Sequence, residues 1–183
     1  MTIILGVDPG LTGALAFIDT DAPHLAVVRN LPTRALPEIG KAGRSYVPRR
    51  IDGRAMALII REHINAGADA QAFCEGVRAL PVKDGRSTAQ SEGSLMRSLG
   101  AIESVLDVLQ LSPMLVLPQT WQTFFGVVGK ASEIRAHGEL PAAVRKAIQL
   151  YPHLEPELAK VKAHNLAEAL LIAHYAARKL IAL

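Results

Sequence analysis

The sequence predicts an α/β fold that opens with an antiparallel meander, and three observations lead there. Two apolar runs of strand length, Ile3 to Val7 and Ala14 to Ile18, flank a turn containing Pro9 and Gly10, which is the pattern of a hairpin. His24 to Arg29 is a third such run, close enough in sequence to complete a meander. Beyond it, short apolar runs at Ala72-Phe73-Cys74 and Met114 to Leu117 alternate with stretches whose apolar residues recur at helical spacing.

The first strand ends in a carboxylate, Asp8. Pro9 holds Asp8 extended and brings no N–H of its own, while Gly10 and Gly13 let the turn pass close to a phosphate or a metal. For Asp-Pro-Gly alone, a structural turn in which Asp8 caps its own backbone accounts for the residues equally well. Pro32 to Pro48 reads as a loop, with Arg34, Lys41, Arg44, Arg49 and Arg50 set among prolines and glycines. It is longer than compact domains carry without a role, and it is either solvated surface or a basic arm for a polyanion. Asp52 precedes a helix from Gly53 to Ile64, with His63 as a surface or helix-end residue.

A turn at Ala66 to Asp69 leads into the strand that ends at Glu75, and a polar loop follows. Lys83, Asp84, Arg86, Ser87, Thr88, Gln90 and Ser91 give that loop phosphate-contact chemistry. Ser94 to Leu109 has helical periodicity, and Gly100 in its middle weakens it unless something packs close there, either the sheet or a partner helix. Met114 to Leu117 reads as a strand stopped by Pro118, and Gln119-Thr120-Trp121 starts a helical turn. Trp121 reads as core cargo rather than a ligand-binding residue. Lys130 follows a glycine and is a candidate phosphate contact, and Ala136 to Pro141 reads as a short loop. Ala142 to Leu150 is a helix that displays Arg145 and Lys146 and stops at Tyr151-Pro152, and Glu155 and Glu157 are solvated.

The last helix begins near His164 and Asn165 and becomes apolar from Ala167 to Ala173, with Glu168 inside the apolar run. An isolated carboxylate there is expensive. Asp8, Glu75 and Glu168 therefore need a shared reason, and a divalent cation held by oxygen ligands supplies one. His164 and Glu168 are four apart and Asn165 and Glu168 three apart, so either pair shares a helix face.

Bulk properties narrow the alternatives. A chain of 183 residues, half of them hydrophobic, suits one domain with one sizeable core. The formal charge of +3 is small for a nucleic-acid binder, so any polyanion footprint must come from clustered basic residues. One cysteine, Cys74, excludes an intramolecular disulfide and a thiolate zinc cluster and fits a reducing cytoplasm. No signal-like start and no apolar stretch of bilayer length is present. No nucleophile elbow supports serine catalysis.

Gly6-Val7-Asp8-Pro9-Gly10 with Gly13, then Glu75, then His164 to Leu170, together with Pro81, the stretch Gly85 to Gly100, and Leu117-Pro118 before Trp121, resembles the RuvC-type Holliday-junction resolvases. The likeness spans nearly the whole chain in order, although each motif is short. It implies a ribonuclease H-like fold across residues 1–183, with a mixed five-stranded sheet and helices on both faces. It also implies a homodimeric endonuclease that binds four-way DNA junctions and makes paired incisions with two magnesium or manganese ions. The resemblance assigns catalysis to Asp8, Glu75, Asn165 and Glu168, with His164 as an added metal ligand. It assigns DNA contacts to Lys83, Arg86, Ser87, Ser91, Lys130 and Lys162. The family often has an aspartate where this chain has Asn165, an uncharged oxygen donor. That difference implies weaker metal binding, compensation by His164, or a junction-binding protein with little or no cleavage. A ribonuclease H-like nuclease for flaps or RNA is a further reading, whereas actin-like ATPases and sugar kinases need a second phosphate-binding domain.

Overall fold

The computed structural model describes residues 1–36, 48–76, 89–128, 140–160 and 163–180. Strands β1 (Ile3–Asp8), β2 (Ala14–Asp19), β3 (Val27–Asn30), β6 (Ala70–Glu75) and β7 (Met114–Val116) form a mixed sheet in the order β3-β2-β1-β6-β7. β1–β2 and β2–β3 pair antiparallel, and β1–β6 and β6–β7 pair parallel. The expected five-stranded architecture with its opening meander is therefore present. Helices α1 (Gly53–His63) and α2 (Ala89–Val108) cover one face. Helices α3 (Pro118–Phe125), α4 (Ala142–Leu150), α5 (Glu155–Leu158) and α6 (His164–Leu180) lie on the other.

β1 is central because its side chains serve both cores. Leu5 and Val7 pack with Met56 and Ile60 of α1 and with Ile102 and Leu106 of α2. Ile4 points the other way, into the core built by Leu170 and Leu171 of α6 and by Trp121 of α3. Ile4, Leu5 and Val7 are fully shielded from solvent, and burial of each is worth about 1.5–3 kcal/mol. α1 starts where expected, its first turn capped by the Asp52 carboxylate accepting from the Ala55 N–H at 3.1 Å.

Several local expectations are corrected. His24 and Leu25 are not in a strand, because Pro23 starts a short 3₁₀ turn, Pro23–Leu25, and the strand begins at Val27. The stretch Pro32 to Pro48, expected to be one loop, instead opens with strand β4 (Thr33–Ala35) and leads into strand β5 (Arg49–Ile51), the two paired as a separate antiparallel ribbon. Lys41 and Arg44, between them, lie outside the described residues. α2 begins five residues before Ser94, continuing through Gly93 with Glu92 in its first turn, so Ser91 is helical rather than in a loop. Gly100 is exposed, and a Cβ there would meet nothing within 4 Å, so the expected close packing is not supplied within the described chain. His63 is a helix-end residue, half-buried rather than superficial, with its ring 4.5 Å from that of Phe17. Among the described residues no helix is long and apolar enough to cross a membrane.

Candidate active site

Strand alternation decides which way the acids point. Ile4 faces α6, so Gly6 and then Asp8 fall on that same side of β1. In β6 the partner register sets Gly6 opposite Phe73, and Phe73 shares the α6 core. Two residues on, Glu75 therefore lies on the α6 side, while Cys74 between them is buried toward α2. Parallel pairing brings the ends of β1 and β6 to one edge, with Asp8 and Glu75 side by side.

The third acid arrives because α6 touches β1 closely. A Cβ on Gly6 would stand 2.3 Å from the Ala169 carbonyl oxygen and 2.7 Å from the Ala173 nitrogen. Any larger residue pushes the helix away, and Glu168 is the neighbour of Ala169. The turn after Asp8 is equally tight. Gly10 has a φ of +137°, a conformation L side chains rarely adopt, and a Cβ on Gly13 would lie 2.1 Å from the Asp8 carbonyl oxygen.

Burial raises all three carboxyls, and neighbouring carboxylates add to the shift at Asp8 and Glu168. Burial, then Glu168 and then Glu75, push the pKa of Asp8 up to about 9. Burial followed by Glu75 raises Glu168 to about 7. Glu75 is also raised by burial, against the opposing effect of a hydrogen bond from Trp121. That bond runs from the indole Nε1–H to Glu75 Oε1 at 3.0 Å, with the indole only 1% exposed. Trp121 is thus core, as its size predicts, and also the donor that fixes one oxygen of Glu75. Among the described residues none of the three acids has a basic ion-pair partner. Burial also raises the Cys74 thiol well above its ordinary range, which removes it as a nucleophile.

Asn165 is buried in the first turn of α6, and its amide donates to the Thr12 carbonyl oxygen at 2.5 Å and to Thr12 Oγ1 at 2.9 Å. It ties the start of α6 to the turn that follows Asp8. Thr12 is the participant that sequence reasoning missed; its only signal was a hydroxyl set between Gly10 and Gly13. His164 is half-buried at the first position of α6. Ser91 is exposed on α2, and Lys83, Arg86, Ser87, Lys130 and Lys162 lie outside the described residues.

The carboxyls of Asp8, Glu75 and Glu168 are hard oxygen donors that a divalent cation would deprotonate on binding, which is the chemistry that suits magnesium or manganese. Their positions are looser than a finished ligand shell. Among the described residues no three His, Cys, Asp or Glu side chains are gathered tightly enough to hold an ion.

No family model and no curated protein sequence matches the chain. Among solved structures it is similar to Thermus thermophilus RuvC in complex with a Holliday junction substrate, at 13% identity and a TM-score of 0.53, over 99% of this chain and 96% of that one. Lower scores accompany another Thermus thermophilus RuvC structure, with 13% identity, a TM-score of 0.48 and coverage of 98% and 96%. The fowlpox virus resolvase with Holliday junction DNA follows at 11% identity, a TM-score of 0.45 and coverage of 97% and 99%. With the strand order and the crossing of α6 over β1, the first of these likenesses leads to one conclusion about architecture: the chain has the ribonuclease H-like fold of the RuvC-type resolvases.

Proposed function

We propose that this protein is a structure-specific endonuclease that binds four-way DNA junctions as a homodimer and hydrolyses phosphodiester bonds in paired incisions. The observation that carries the reading is the meeting of buried Asp8 and half-buried Glu75, at the carboxyl ends of the parallel strands β1 and β6, with half-buried Glu168 of α6, none with a basic partner among the described residues. The likeness in fold to a resolvase solved with its junction supports it. Asp8, Glu75 and Glu168, with Asn165 and His164 beside them, would hold magnesium or manganese. Bound divalent ions lower the pKa of an attacking water and stabilise a departing 3′-oxygen.

The chain's own residues prepare that chemistry. Asp8 and Glu168 bind protons more tightly than ordinary carboxyls, so a cation competes with protons for them and occupancy rises with pH. Trp121 holds Glu75 in one orientation. Two incisions across a branch point require two such sites related by symmetry, which is the basis for a dimer. Backbone contacts by Lys83, Arg86, Ser87, Ser91, Lys130 and Lys162 belong to the same proposal.

A second reading, junction binding with weak or no cleavage, is favoured by one observation. The Asn165 amide group is engaged with Thr12, so this side chain serves the turn as well as the site. Binding and cleavage of one four-way junction, measured with magnesium and with manganese, separate the two. Asp8→Asn is expected to lower cleavage at least about 100-fold, since losing even an outer partner of a metal ligand typically costs 10–100-fold. Binding should persist, because most affinity comes from backbone contacts. Magnesium should also raise the melting temperature of the parent protein and not that of Asp8→Asn. Binding lost in step with cleavage would overturn this division of labour, and a parent protein that binds but cuts in neither metal would establish the second reading.

A further inference from the structure

The β4–β5 ribbon and α2 enclose a cavity of about 200 Å³ on the far side of the turn that follows Asp8. Arg34, Arg49 and Arg50 line it from the ribbon, Arg97, Ser94 and Ser98 line it from α2, and among the described residues no carboxylate takes part. Leu11, in the Asp8 turn itself, is part of the same wall. Arg34 and Arg50 stand directly opposite each other in the ladder. Like charges at such a position destabilise a strand pair, and a two-stranded ribbon has little stability to spare. Among the described residues none of the four guanidinium groups is ion-paired with a carboxylate. Arg49 is already ordered, with Nε 2.9 Å and Nη2 2.7 Å from Thr33 Oγ1 and Nη2 also donating to the Thr33 carbonyl oxygen at 2.9 Å. Ser98 is buried, and its hydroxyl donates to the Ser94 carbonyl oxygen at 3.0 Å.

We propose that this cavity is a phosphate-binding site that grips a nucleic-acid backbone beside the acid-bearing turn. An anion resolves the repulsion between Arg34 and Arg50, and guanidinium forks match phosphate oxygens in geometry as well as charge. Size selects the occupant: ligand pockets usually span about 300–1,000 Å³, so this one takes a phosphate group of a longer polymer rather than a whole nucleotide. Continuity through Leu11 puts the gripped strand next to Asp8. The backbone assignment rests on the nuclease reading; free polyphosphate offers the same chemistry and is the other source to test.

The experiment compares the parent protein with the double variant Arg34→Gln, Arg50→Gln and with a charge-matched control, Arg178→Gln, Lys179→Gln, at the exposed end of α6. Junction binding is measured by fluorescence anisotropy across a salt series. The ribbon variant is expected to reduce the slope of log affinity against log salt by about 0.9 for each lost phosphate contact, close to two in all, while the control retains the parent slope. Its melting temperature without DNA should be unchanged or higher, because a repulsive pair is gone. Parent-like slope and affinity in the ribbon variant would overturn the proposal. Should the parent protein fail to bind junction DNA at all, the nuclease reading falls and the cavity is judged by tripolyphosphate alone. A thermal upshift with tripolyphosphate that requires Arg34 and Arg50 then supports a phosphate site filled by free polyphosphate, and no upshift overturns it.

Discussion

Asn165 shows how one residue can carry two demands. Its position, three before Glu168, marks it as a ligand-side residue, while its hydrogen bonds make it the clamp between α6 and the Asp8 turn. An aspartate there has no N–H to offer and would set a carboxylate against the Thr12 carbonyl oxygen. Asn165→Asp is therefore expected to destabilise the metal-free protein by about 1–3 kcal/mol, the usual consequence of leaving a buried polar group without its partner. Urea unfolding in a chelator measures it, and added magnesium should restore more stability to the variant than to the parent protein. An unchanged unfolding midpoint would show that the clamp contributes nothing. The acids were legible in the sequence because a carboxylate at a strand end or in an apolar helix is costly and conspicuous. Thr12 and the Trp121 donor were not, since a turn threonine and a core indole look the same whether or not they hold a functional neighbour.

At the level of elements, the site is set by how closely α6 lies on β1. Gly6 makes that approach possible, and the methyl of Gly6→Ala would overlap backbone atoms of Ala169 and Ala173. Overpacking of this kind typically costs about 1–3 kcal/mol, and a backbone obstacle puts this case at the upper end. Cleavage should fall with it, since the same shift carries Glu168 away from Asp8. Gly100→Ala is the contrast: it sits in a helix with open space at its Cβ and should gain about 0.5–1 kcal/mol. Chemical denaturation of both variants tests the pair, and equal effects would refute the close-approach argument. Strand and helix identities were readable from periodicity over most of the chain. The β4–β5 ribbon was not, because its three-residue strands, the second of them carrying adjacent arginines, give no alternation to read; only Ile51 joins the core shared with α2.

Across the whole molecule, a formal charge of +3 conceals a separation of sign. Four arginines line one side of the Asp8 turn, and three carboxyls meet on the other. A polyanion is drawn by the first and repelled by the second unless the acids are neutralised, by protons or by a divalent cation. Proton neutralisation makes stability depend on pH in a defined direction. Asp8 holds its proton up to about pH 9 when folded but releases it near the ordinary 3.8 when unfolded, so the native state binds more protons between those values. Stability must fall as pH rises through that window, by up to about 1.4 kcal/mol per pH unit for each such group. Glu168 adds to the fall from its ordinary 4.5 up to about 7. His63 and His174 are both held below their ordinary value, chiefly by burial, and act oppositely below about pH 6.5. Asp8 therefore dominates the interval from pH 7 to 8, where Glu168 is fading out and the Cys74 thiol, also raised by burial from its ordinary 9.0, has yet to contribute. In a chelator, the unfolding free energy of the parent protein is expected to decline across that interval, while Asp8→Asn stays level and magnesium flattens the parent profile. Buried Trp121, the one tryptophan of the chain, reports the transition by fluorescence. A level profile for the metal-free parent protein would mean that Asp8 ionises in the native state without penalty, and that the three acids do not form the electrostatic unit on which the proposed chemistry depends.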